Sequence, residues 1–83
     1  MTEGELKNIS DICNKATKAP WVSYIEGRDF ASGSGFIMTG SNEERDYDME
    51  FVKIKPEDQD FIAMARNVIP VLVDEIIKLR SSE

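Results

Sequence analysis

The amino-acid sequence predicts an α+β fold: an N-terminal helix, a three-stranded antiparallel meander and a Pro-broken C-terminal helix packed on one face of the sheet. Three observations lead there. Apolar residues recur at helical spacing near the N-terminus, at strand-like density between about residues 21 and 54, and at helical spacing again toward the C-terminus. Gly, Ser, Asn and Asp closely separate the middle segments, and connections this short join antiparallel strands, because a parallel crossover needs about a dozen residues or more. Finally, 83 residues make a single domain, 1–83, and a chain of this size buries only about 60–65% of its unfolded surface. One small core fits, without a deep substrate cleft.

The first helix spans roughly 3–17, since Leu6, Ile9, Cys13 and Ala16 step by three and four and share one face. Pro20 stops it. The strands are "WVSYIEG", "FIMTG" and "MEFVKI", rich in aromatic and β-branched residues. Their register stays open, because Trp21, Ser23 and Ile25 compete with Val22 and Tyr24 for the buried face, and Met49 and Phe51 with Val52 and Ile54. Trp21, at the junction of helix and strand, reads as an anchor over the end of the core.

In the last third, Ile62, Ala65, Ile69, Leu72, Ile76 and Leu79 alternate intervals of three and four, widened by Phe61, Val68, Val73 and Ile77. That stripe predicts a long amphipathic helix with Pro56 early in its first turn, acids at its positive end, and Lys78 and Arg80 at its negative end. Pro70 removes the hydrogen bond back to Arg66 and is expected to kink or divide the helix near Asn67. The stripe is read as a core face, with Leu72 inside; its other use is as the seam of a homodimer joined through the C-terminal helix.

The stretch "EGRDFASGSGFIMTG", residues 26–40, invites comparison with a phosphate cradle. Such a loop feeds glycines into a helix N-terminus. Here Gly33-Ser34-Gly35 leads into Phe36-Ile37-Met38, a strand signal, so the glycines are read as a strand connection. Arg28, Ser32 and Ser34 remain an alternative site for a small anion. Ile25-Glu26-Gly27-Arg28 spells a protease recognition sequence by coincidence, its residues being part of the strand pattern.

Enzyme chemistry finds few materials. With no histidine, imidazole-based triads and histidine metal sites are excluded, and one cysteine builds neither an internal disulfide nor a thiolate zinc site. Cys13 sits on the apolar stripe of the first helix and is read as a small hydrophobe. Glu26 and Asp29 are the only carboxylate pair with an acid–base look, and they read as a charged turn. Asp46, Asp48, Glu50 and Glu57 match the first, third, fifth and twelfth positions of a calcium loop, but Phe51 stands where that loop needs glycine. No catalytic residue, cofactor or metal is therefore expected.

Charge says more. Residues 41–60 hold eight acids and three bases, a net −5 of the total −6. Phosphate backbones are repelled by such a segment, which argues against direct nucleic-acid binding, while a basic protein is attracted. No apolar run approaches the roughly 20 residues that cross a bilayer, and the polar start "MTEGELKN" has no signal-peptide pattern, so a cytoplasmic protein off the membrane is expected. The lone cysteine suits that reducing compartment.

The order of "KATKAPW", a Gly-rich β-region and the tail "DQDFIAMARNVIPVLVDEIIKLR" resembles small proteins of prophages and other mobile elements. The likeness runs along almost the whole chain and is most specific at Ala19-Pro20-Trp21 and from Asp60 to Pro70. It implies no catalytic residue, and some small acidic neighbours in such elements are immunity proteins that neutralise toxins. The expected function is thus a non-enzymatic inhibitor of a basic partner, a nuclease toxin or host factor, contacted through Glu43, Glu44, Asp46, Tyr47, Asp48 and Glu50. The alternative is a phage accessory or anti-defence protein that holds a small anion at Arg28, Ser32 and Ser34 or binds a host protein.

Overall fold

The computed structural model describes residues 1–40 and 45–81. Its elements are α1 (Glu3–Lys15), β1 (Trp21–Tyr24), β2 (Phe36–Thr39), β3 (Asp48–Glu50) and α2 (Pro56–Ser81), an α+β arrangement with an antiparallel sheet in the order β1-β2-β3. α1 starts where Thr2 and Glu5 cap each other: the Thr2 hydroxyl accepts the Glu5 N–H at 3.1 Å and the Glu5 carboxylate accepts the Thr2 N–H at 3.0 Å. These bonds hold the Glu5 carboxyl below its usual pKa. The helix closes at Lys15, two residues short of the expected 17, when the extended Ala16 makes its last helical bond to Ile12. Of its predicted stripe, Leu6 is buried and Ile9, Cys13 and Ala16 are half-buried, so Cys13 is only partly enclosed.

Cross-strand pairing settles the register. Trp21 lies opposite Thr39, and Ser23 opposite Ile37, which in turn faces Met49. This side of the sheet looks at α2, since Ser23 meets Gln59 and the Trp21 ring lies under the Arg66 guanidinium at 6.0 Å. Ile37 and Thr39 are fully buried there. On the other side Tyr24 stacks on its partner Phe36 at 5.1 Å, and Phe30 tilts against the same ring.

Two strands are shorter than predicted. β1 stops at Tyr24, because Ile25 begins a turn: its carbonyl accepts the N–H groups of Arg28 and Asp29, and Gly27 takes φ +83°, which suits a residue without a side chain. β3 runs over Asp48–Glu50 and not 49–54, because Glu50 already pairs with Phe36, the first residue of β2. No further β2 backbone remains for Phe51 to Ile54, which instead carry the chain to α2.

α2 differs from expectation in two ways. It runs unbroken for 26 residues with Pro70 inside, so the division near Asn67 does not occur. Tertiary bonds hold the turn before the proline: the Asn67 side chain pairs with both the N–H and the C=O of Trp21 at 2.8 Å, and Arg66 Nε donates to the Thr17 carbonyl at 3.0 Å. The second difference is the buried face. Gln59, Ala63 and Val73 are buried and Arg66, Asn67 and Pro70 half-buried, whereas Leu72, expected in the core, is 53% exposed and Leu79 60%. The helix is turned so that polar Gln59 and Asn67 reach strand backbone, a demand that hydrophobic spacing does not report.

Residues 1–25 therefore run along α2 in the opposite direction. Arg80 donates to the Met1 carbonyl, Arg66 to Thr17, Asn67 pairs with Trp21, and Gln59 with Ser23 and Tyr24. The sheet covers the first half of one α2 face, and α1 the second, closed around Leu6.

Candidate functional site

The acidic segment surrounds β3, an edge strand that among the described residues pairs only with β2. Glu43 and Glu44 lie outside the described residues. Beyond them the backbone is anchored: the Asp46 N–H donates to the Thr39 carbonyl at 3.0 Å, and the buried Thr39 hydroxyl donates to the Tyr47 carbonyl. Their side chains nonetheless stay in solvent, Asp46 exposed and Tyr47 51% exposed. Glu50 is exposed opposite Phe36, while Asp48 is half-buried and bridged to Arg45 at 2.6 Å. That bridge raises the Arg45 pKa and commits one predicted contact residue to its own chain. Asp46, Tyr47 and Glu50 are thus each exposed along an anchored stretch of backbone at the sheet edge, with exposed Glu57 and Asp58 following in the first turn of α2.

Of the predicted anion site, Arg28 is bonded within its own chain. Arg28 grips both Asp60 oxygens, Nη1 at 2.7 Å and Nη2 at 3.1 Å, and its Nε donates to Asp29 at 3.0 Å. Asp29 also accepts the Ile25 N–H at 2.8 Å. The guanidinium holds the Asp60 and Asp29 carboxyls below the usual carboxylate range, and the two carboxylates raise the Arg28 pKa further. Arg28 is therefore a clamp between the 25–30 turn and the start of α2. Ser32 and Ser34 are exposed, and only Ser34 borders the open hollow beside Lys53 and Gln59, which Arg28 does not line. The same clamp spends Asp29, so Glu26 and Asp29 form no acid–base couple. Among the described residues no three acidic or cysteine side chains converge as metal ligands, and no helix is long and apolar enough to cross a membrane.

A second surface is the outer face of α2, most of whose residues the sequence reading places in the core, with a homodimer seam as their other use. Phe61, Met64, Val68, Val71, Leu72 and Leu79 are all exposed on α2, with Phe61 at 64%. At 3.6 residues per turn, Phe61, Val68, Leu72 and Leu79 fall within about 40° of one another around the helix axis, opposite the packed Gln59, Ala63 and Pro70. The available signal was the polar pair Gln59 and Asn67, eight positions apart, which marked a second, inward face. No protein-family model, curated protein or solved structure matches the chain.

Proposed function

We propose that the protein is a non-enzymatic inhibitor that binds a basic protein partner in the cytoplasm, in the manner of an immunity protein covering the active site of a toxin such as a nuclease. One observation carries this reading: a net −5 is concentrated in residues 41–60, and its members Asp46 and Glu50 stand exposed, as does Tyr47, along a backbone anchored at a sheet edge. Carboxylates so placed imitate substrate phosphates and speed encounter with a basic site, while the tyrosine ring supplies an amphipathic anchor. The resemblance to small prophage proteins read from the sequence is in keeping with such a role. The anion-binding alternative draws no support from Arg28, whose donors are engaged.

The test begins with affinity capture from source cells, followed by stopped-flow association of the captured partner. Lysine at Glu43, Glu44 and Asp46 is expected to slow association at least about 10-fold in low salt and far less in high salt. Tyr47→Ala is expected to speed dissociation at any salt. A partner that is acidic, or a triple variant that associates at the wild-type rate in low salt, overturns the reading.

A further inference from the structure

We propose that the outer face of α2 is the seam of a two-fold symmetric, antiparallel dimer, its occupant a second copy of this chain. An apolar helix face is stable in water where it is covered, and among the described residues the outer face of α2 is exposed. Phe61, Met64, Val68, Val71, Leu72 and Leu79 leave between 38% and 64% of their surfaces in solvent, an exposed apolar area on the order of the largest patch of an ordinary monomer, roughly 300–600 Å². Two such faces bury up to roughly 1,200 Å², at the lower end of the range of a specific interface.

Spacing and charge select the second copy and its direction. Phe61, Ala65, Val68, Leu72, Glu75 and Leu79 follow the four–three alternation of a coiled-coil seam. In a parallel pair, Glu75 meets the partner's Glu75 inside the seam, two like charges in contact. Antiparallel pairing about Pro70 sets Phe61 against the partner's Leu79, Val68 against the partner's Leu72, and Glu75 against the partner's Ala65, whose small side chain lets the carboxylate reach water. The same arrangement brings the acidic first turn, Glu57 and Asp58, toward the basic last turn with Lys78 and Arg80, and opposes the helix dipoles. The seam is self-complementary, as a two-fold interface requires. It lies on α2 and needs nothing from the acidic edge at β3.

Sedimentation velocity on the full chain tests this. The wild type is expected at twice 9.4 kDa in the micromolar range. Leu72→Glu, at an exposed site, is expected to weaken association at least about 30-fold with an unchanged far-UV circular dichroism spectrum. In a Cys13→Ser background, Phe61→Cys/Leu79→Cys is expected to form a covalent dimer on mild oxidation, and Leu79→Cys alone is not. A wild type that stays monomeric, a Leu72→Glu dimer of wild-type affinity, or cross-linking of Leu79→Cys by itself each overturns the proposal. Because sedimentation uses no other protein, its outcome is independent of the basic-partner reading.

Discussion

Gln59 is polar and yet only 1% exposed, at the point where helix and sheet meet. The two N–H groups of its amide are shared among the Ser23 hydroxyl at 2.9 Å and the Phe36 and Tyr24 carbonyls at 3.0 and 3.1 Å, tying α2 to two strands at once. Gly35 makes room, since a Cβ there would stand 3.2 Å from both Gln59 Oε1 and the Tyr24 carbonyl. Gln59→Leu, which leaves those acceptors without a donor, is expected to cost about 1–3 kcal/mol in urea denaturation. Arg28 gives a second prediction at this scale. Asp29 and Asp60 have lower pKa values folded than unfolded, so their contribution to stability is complete above the unfolded carboxylate value near about pH 4 and is lost as pH falls through the folded values. Arg28→Gln should flatten the loss of stability in acid and lower the urea midpoint at neutral pH. An unchanged acid slope in this variant would assign the acid sensitivity to other carboxylates.

Among elements, α2 poses a contrast between neighbours. Val73 is buried and Leu72 is exposed, although both lie in the apolar pattern. Val73→Ala is expected to cost about 2 kcal/mol at any protein concentration. Leu72→Ala should cost less than about 0.5 kcal/mol in the monomer, with a larger effect that appears only as concentration rises. Denaturation curves at two concentrations separate these outcomes. Pro70 tests the continuity of the helix. The proline interrupts the ladder at Arg66 yet the helix persists, so Pro70→Ala, which restores the bond without asking the backbone to move, is expected to stabilise the protein by about 1–3 kcal/mol. Destabilisation would mean that the ring's packing outweighs the missing bond.

As a whole, the molecule is built along α2. Its extents are 51 × 27 × 19 Å, and its radius of gyration of 15.3 Å exceeds the roughly 12 Å typical of a compact chain of this length. The reason is a mismatch: 26 helical residues span about 39 Å, whereas four-residue strands span about 13 Å. α1 must cover the remaining length, and Leu6 is the residue it buries there. Leu6→Ala is therefore expected to cost about 2–5 kcal/mol and to speed amide exchange in residues 73–81 more than in 59–67, read by hydrogen exchange and mass spectrometry. Equal changes along the helix would show that α1 and the sheet stabilise α2 as one unit.

The kind and order of elements were legible along the chain, because helical spacing and the local density of aromatic and β-branched residues are properties of neighbouring positions. The acidity of residues 41–60 was equally plain there, whereas the Thr2–Glu5 cap appeared only in the structure. Tertiary structure decided the rest. Strand length at β3 depended on how much of β2 was left to pair, and the end of β1 on the turn that Arg28 and Asp29 close. The fate of Arg28 depended on Asp60, 32 positions away, which converts a candidate ligand donor into a clamp. Above all, which side of α2 faces inward was decided by the hydrogen bonds that Gln59 and Asn67 make to β1 and β2. Apolar spacing counts how many faces of a helix avoid water but not which one the rest of the chain covers, and with two such faces on α2 only the packed molecule could choose.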